Sequence, residues 1–329
     1  MLLFFRKEKT VQPQIEALGG RVYKINPPSA KGILKHEMSR FFAAHKNEWE
    51  ALHIHAPHFA VFISPQAKKA GIKKICCHCH TTWYSLFPKN EFRNRLLAAP
   101  VKCLAGTRFA CGTDAGKFWF KDNFYVLANA VDCAAFRFDE KRREKARQSL
   151  GLGDCLVCGN VGRLYPPQKN HPFILKIFAE VKKQRSDAKL LLVGAEEEPS
   201  LLSLAKKLEI EKDVLFLGQR RDVADLLFAM DVFLFPSLRE GLPVAAIEAQ
   251  ASGLPVLMAS TITREALVAP NAKMLSLEAS PREWANAAAS AALEARKDNY
   301  DIMKAAGWDI KERAARLAEY YRTGVFRDF

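Results

Sequence analysis

The chain has 329 residues, 49% of them hydrophobic and 26% charged: enough apolar material for about two packed domains and too much for a disordered chain. No uninterrupted apolar run approaches the ~20 residues of a membrane-crossing helix, and the opening MLLFF is too short for a secretion signal. The net charge of +14 sits entirely in residues 1–150, which hold 26 Lys+Arg against 12 Asp+Glu, whereas the remainder holds 24 of each.

Short apolar runs at 1–5, 21–25, 51–55, 74–78, 109–111 and 124–127 predict strands. Between them, residues 13–18, 31–46 and 64–70 have helical composition, so the first half reads as β-α units on a parallel sheet. Residues 138–153 predict a short charged helix ending in two glycines, which serves as the linker. The second half alternates more regularly. Strands are predicted at 155–161, 189–193, 214–217, 232–235 and 255–258, and helices at 172–183, 201–208, 223–230, from 243 onward, 281–293 and 310–320. Glycine or proline closes most of these strands at their C-terminal ends. The fold class is α/β, with two Rossmann-like, doubly wound domains: residues 1–150, then 151–309, then a terminal segment 310–329. In such sheets ligands lie beyond the C-terminal strand ends.

Two of those loops carry candidate chemistry. In GNVGRLYPPQKN a strand closes at Gly162, and Arg163 and Lys169 flank the loop. A guanidinium that forks onto two oxygens and an ammonium point charge together suit a diphosphate, at about 1.5–3 kcal/mol for each charged hydrogen bond. In PSLREGLPVAAIEAQASGLPV, Glu240 follows a buried strand, and Gly241, Leu242 and Pro243 open a helix with proline in its first turn. Free N–H groups at that start favour an anion. Glu248, further into the helix, can accept two hydroxyl hydrogen bonds of a ribose diol, and Glu240 those of another polyhydroxylated group. One ligand satisfies all of these residues: a nucleotide, a diphosphate and a sugar laid along one crevice.

The ordered set formed by GRLYPPQKN, LLLVG, VLFLG, DVFLFPS, and EGLPVAAIE followed by A-x-x-G-x-P-V resembles the retaining family 4 glycosyltransferases of GT-B architecture, over about residues 155–260. ALHIHAP, CHCHTTW, ACGTDAG and ANAVD lie where that family has corresponding first-domain segments, and the details look most like transferases of capsule, exopolysaccharide or lipopolysaccharide assembly. The resemblance implies roles. Arg163 and Lys169 would neutralise the leaving diphosphate, work that a metal does in other transferases. Glu248 would hold the ribose. Glu240 and the backbone after Gly241 would contact the donor sugar, with Gly218, Gln219 and Val223 framing the base. His80, in HTT, would face the sugar from the first domain. The donor is then a nucleotide-diphosphate sugar, a UDP-sugar, and the acceptor a hydroxyl of a lipid-linked or growing saccharide. No cofactor is required. Attack would come from the front face, since no enzyme nucleophile is evident. The last helix would return to the first domain. The family's first strand and glycine-rich loop have no counterpart, because residues 1–5 align with its second strand and Gly19-Gly20 reads as a turn. That departure opens an alternative, a sugar-nucleotide-binding protein without turnover.

Competing signals read as structural. The eight cysteines are scattered, so reduced thiols are expected in a cytoplasmic protein. In CCHCH (residues 76–80), adjacent Cys76 and Cys77 point to opposite strand faces, and Cys155 and Cys158 are equally poorly spaced, so no metal site is expected. His53, His55 and His58 read as packing or surface residues. No nucleic-acid module accompanies the basic first half. Lys68, Lys69, Lys73 and Lys74 form a patch suited to peripheral contact with anionic lipid, at about 1 kcal/mol per cation.

Overall fold

The computed structural model describes residues 2–4, 12–26, 37–85, 87–163, 167–194 and 198–327. Parts of two expected elements, residues 1 and 5 of the first strand and 31–36 of the second helix, lie outside them. The described strands form three sheets, all parallel. β1 (Leu2–Phe4) pairs with β2 (Val22–Lys24). β3 (Ala51–Ile54), β4 (Lys74–Cys79), β5 (Thr107–Ala110) and β6 (Tyr125–Val126) form a second sheet in chain order. The third contains β7 (Val157–Val161), β8 (Lys189–Val193), β9 (Val214–Phe216), β10 (Val232–Phe235), β11 (Val256–Ala259) and β12 (Ala272–Leu275), ordered β12-β11-β10-β7-β8-β9. That order runs outward in both directions from the β7–β10 pair, so the chain reverses its winding there, where doubly wound sheets bind ligands.

The third sheet is covered on both faces, which explains its continuous apolar runs. Every residue of β10 and β11 is buried. Helix His171–Gln184 buries Ile174, Leu175, Ile177, Phe178 and Val181, a helical stripe, and its Phe173 ring meets Trp284 of helix Pro281–Ala291 edge-on at 5.9 Å. The first half also contains helices that its composition did not predict, Pro88–Ala98, Val101–Leu104 and Thr113–Phe120. In the second half, β12 and helix Tyr300–Ala305 were not predicted either.

Helix Glu140–Ser149, capped by Asp139 on the Arg142 N–H, is fastened to the third sheet. Arg143 pairs with Asp231 at 2.7 Å and donates to the Phe228 carbonyl, while Arg147 donates to the carbonyls of Ala229, Gly153 and Cys155. The last helix, Ile310–Thr323, packs instead on the second sheet. Tyr320 and Phe326 set their rings against Phe109 of β5 at 5.1 and 4.9 Å. Lys74 Nζ donates to the carbonyls of Tyr321 and Arg322 and so caps that helix's C-terminal end. Phe109 is fully buried in this joint. Phe109→Ala is expected to lower unfolding stability by about 3–5 kcal/mol in a denaturant titration; a loss below about 1 kcal/mol would show that the terminal helix contributes little there.

Candidate active site

The C-terminal ends of β7, β8 and β9 close on one another through three glycines. Gly162 N donates to the Val193 carbonyl at 2.8 Å, and Gly194 N to the Gly218 carbonyl at 2.6 Å. Gly194 adopts φ +82°, which disfavours any side chain, and a Cβ there would press on the Gly162 carbonyl at 3.2 Å. These contacts leave a smooth backbone floor at the winding reversal. Gly162 also packs against the Lys169 side chain, with a built Cβ only 3.0 Å from Lys169 Cε.

Across the reversal, the loop after β10 brings Glu240 back to the loop after β7. Lys169 Nζ and Glu240 Oε1 pair at 2.9 Å, with side chains 16% and 8% exposed. The ammonium also lies 4.5 Å from the Phe235 ring centre. Leu238 N donates to the Gln168 carbonyl at 2.8 Å, which stitches the two loops together, and Thr261 Oγ1, past β11, donates to the Ser237 carbonyl at 2.9 Å. The nearby His171 imidazole is pushed down to about 4, first by burial and then by the Lys169 charge. Arg163 is exposed at the mouth of β7. The intervening residues 164–166 of GRLYPPQKN lie outside the described residues.

Gly241, Leu242 and Pro243 are buried, but Pro243 is the residue before helix Val244–Ala251 rather than in its first turn. Its φ of −82° and ψ of 84° are not helical, a correction to the sequence reading. Proline fixes φ but leaves ψ free, and here ψ turns the loop into the helix. Glu248 sits just over one turn inside that helix. Burial pushes its carboxyl up to about 7, and among the described residues no cation opposes the shift. Gly218 takes φ +59° after β9, Gln219 is exposed and Val223 begins helix Val223–Ala229.

The second sheet meets this region at His80, just past β4. A Cβ on Gly241 would run into the His80 carbonyl, so the two backbones are in contact only because residue 241 is glycine. Burial holds the His80 imidazole down to about 4, helped by His55, while the Asn129 side chain pulls it upward. Two further contacts bridge the halves, neither signalled by the sequence. Glu265 accepts from the Thr113 N–H with both oxygens at 3.0 Å, at the start of helix Thr113–Phe120, and the Arg239 guanidinium lies 5.9 Å from the Trp83 ring. Glu265 and Thr113 stand 152 positions apart; Thr113 lies in ACGTDAG, but Glu265 lies in no motif.

His53, His55, His78 and His80 also gather on one face at the β3–β4 pair, a grouping that the reading of His53 and His55 as packing or surface residues did not include. His55 Nδ1 and His80 Nε2 are 2.8 Å apart, and the His78 and His80 rings 4.1 Å. His58 stays apart, against Phe59. A hollow lined by Arg143, Arg147, Arg185 and Asp231 lies at the opposite, N-terminal strand ends, and the Arg143 and Arg147 donors there are spent on carbonyls and Asp231.

The family model described as glycosyl transferases group 1 matches residues 156–293. EpsF of Bacillus subtilis (strain 168), described as a glycosyltransferase, is 30% identical over 342 residues, covering 96% of this chain and 86% of EpsF. An Escherichia coli protein named UDP-Gal:alpha-D-GlcNAc-diphosphoundecaprenol alpha-1,3-galactosyltransferase is 28% identical over 257 residues, 71% of this chain and 64% of its own length. Among solved structures, HepE of Anabaena in complex with UDP and glucose superposes with a TM-score of 0.79 at 20% identity, covering 98% of this chain and 91% of HepE.

The raised carboxyl of Glu248 makes stability depend on pH. The folded state holds a proton up to about 7, whereas the unfolded chain releases it near the ordinary 4.5. Between those values the folded state binds more protons, so the contribution is full below 4.5 and is lost as pH rises to 7. Its size is on the order of 2–3 kcal/mol. Denaturant unfolding at pH 5 and pH 8 is expected to show this loss in the parent and to lack it in Glu248→Gln. Identical pH dependence in both proteins would remove Glu248 as the source.

Proposed function

The chain belongs to the group 1 glycosyl transferases and is an enzyme of their GT-B architecture, and from that premise we propose that it moves a sugar, with retention, from a UDP-sugar to a hydroxyl of a lipid-linked or growing saccharide. The observation that carries this reading is the Lys169–Glu240 pair beside the Gly162, Gly194 and Gly218 floor. A diphosphate laid on that floor meets Lys169 and Arg163, and Glu240, once it yields the ammonium, is left to accept from sugar hydroxyls. Glu248 accepts the ribose diol, and Gly218, Gln219 and Val223 frame the base. His80 faces the sugar from the other sheet.

As the bond from the anomeric carbon to the diphosphate oxygen breaks, its electron pair goes to the phosphate. The acceptor oxygen forms the new bond on the same face and passes its proton to that phosphate. Arg163 and Lys169 stabilise the charge that develops there. The choice of uridine is supported by the UDP in the HepE crystals and by the UDP-galactose in the E. coli relative's name, and the lipid-linked acceptor by the same relative. The structural neighbour WaaG, described as involved in lipopolysaccharide biosynthesis, supports a place in surface-polysaccharide synthesis.

Among the described residues no helix is long and apolar enough to cross a membrane. Peripheral contact with anionic lipid finds support in helix Pro88–Ala98, which exposes Phe92 at 72% and Leu96 at 58% beside Lys89 and Arg95. Lys74, counted in the sequence patch, is instead committed to the carbonyls of Tyr321 and Arg322.

A thermal-shift screen of nucleotide sugars is expected to raise the midpoint most with UDP-sugars. Glu248→Ala is expected to weaken UDP at least about tenfold, one lost pair of hydroxyl bonds at roughly 1.5–3 kcal/mol. Lys169→Ala is expected to slow transfer by about 10²–10³ with a smaller effect on UDP affinity. If both variants bind UDP and turn over like the parent, the site assignment fails. Gly241→Ala, which cannot keep the His80 contact, is expected to lose transfer while its thermal midpoint stays within a few degrees of the parent; parental turnover would show that the contact is dispensable.

A further inference from the structure

The strand face that ends in His80 carries three further imidazoles. His53 lies in β3 opposite Cys76 of β4 in the parallel register, and side chains alternate along a strand. Cys76, His78 and His80 therefore share one face with His53 and His55. The stacked rings of His53 and His55 have centres 4.3 Å apart, and His78 lies 5.3 and 5.5 Å from them. One nitrogen from each of the three fits within 4.8 Å of the other two.

The polar balance of this cluster is incomplete. His78 is 4% exposed, and among the described residues neither of its ring nitrogens completes a hydrogen bond, although the Leu127 backbone interacts with the ring and favours its proton. His53 Nε2 is also buried without a partner. Buried imidazole nitrogens are ordinarily satisfied, so three orphans in one cluster call for a ligand. The other ring atoms are already arranged as an outer shell. Tyr321 Oη, from the last helix, holds His53 Nδ1 at 2.6 Å, and His80 holds His55 Nδ1 at 2.8 Å, which leaves the Nε2 atoms of both for a ligand. His55 is exposed and gives a route in from solvent.

We propose that His53, His55 and His78 form a binding site for one divalent d-block cation of the zinc class, with the fourth position taken by water. All-imidazole donor sets suit zinc, copper and nickel, and exclude the oxygen-seeking magnesium and calcium. Metal–nitrogen bonds of about 2.0–2.1 Å place neighbouring donors roughly 3.4 Å apart in a tetrahedron. The rings must therefore draw together from 4.8 Å, and exposed His55 has the freedom to move. The ion would tie β3 to β4 beneath His80, on the opposite side of the cleft from Arg163 and Lys169. It takes no part in neutralising the diphosphate, so this site stands or falls independently of the transfer reaction.

The test uses the full chain without a histidine tag, freed of metal, with Zn²⁺ competed against a chromophoric chelator and Co²⁺ followed by absorption. One equivalent of Zn²⁺ is expected to bind with micromolar or tighter affinity and to raise the thermal midpoint, and Co²⁺ to give visible bands of tetrahedral strength without a thiolate charge-transfer band. His55→Gln, at an exposed position that does not endanger folding, is expected to weaken Zn²⁺ by at least about a hundredfold, and His78→Gln likewise. His58→Gln is expected to bind as the parent does. Sub-stoichiometric binding, a thiolate band, or parental affinity in His55→Gln would overturn the site, whatever the outcome with His78→Gln.

Discussion

A steric constraint at residue 241 governs the site. Two parallel sheets present their C-terminal edges to each other, and at residue 241 backbone meets backbone. The loop after β10 passes the His80 carbonyl with no room for a side chain. Because that loop also carries Glu240 and leads into the helix of Glu248, the glycine sets the positions of both carboxylates relative to the second sheet. The Glu265 carboxylate on the Thr113 N–H holds the same approach from another direction, as a negative charge at a helix start. Closure of the cleft is thus fixed by one excluded side chain and one charged hydrogen bond.

Charge at the winding reversal is handled by exchange. An ammonium 16% exposed and a carboxylate 8% exposed cannot stand alone, and they compensate each other at 2.9 Å. Buried pairs of this kind add little net stability, because desolvation consumes most of the attraction. On the proposed reading, a diphosphate would take over Lys169 without a large loss, and the released Glu240 would find a partner in the sugar hydroxyls. Glu248 follows a different rule. Among the described residues it has no cation beside it, burial raises its carboxyl to about 7, and hydroxyl donors from a ribose would favour the ionised form.

Much of this was legible in the residues. Strands β8 and β10 fall on the predicted 189–193 and 232–235, because fully covered parallel strands read as unbroken apolar runs ended by glycine or proline. Lys169 and Glu240, 71 positions apart, were assigned to one crevice from strand-end logic, and they touch. The losses have physical causes. Helix Pro88–Ala98 buries only Asn94 and Ala98 and turns Phe92 and Leu96 outward, so it shows no inward apolar stripe. β12, with the sequence AKML, is a short edge strand with no fully buried residue. The histidine cluster needs the β3–β4 register, which sets His53 opposite Cys76; two His-x-His pairs were visible, but their shared face was not.

The basic first half divides on inspection into cations with different tasks. Arg143 and Arg147 lie within residues 1–150 by sequence, yet they serve the third sheet by satisfying carbonyls around Asp231. Lys74 caps the last helix. What remains exposed includes Lys68, Lys69 and Lys73 after β3, and Lys89, Arg93 and Arg95 on helix Pro88–Ala98. Only the second group stands beside exposed Phe92 and Leu96. Charge alone attracts any polyanion, but charge interleaved with outward apolar side chains matches the boundary between lipid headgroups and acyl chains. If, as proposed, the acceptor is carried on lipid, the cleft would have to be held close to that boundary, and this helix lies in the same domain as His80.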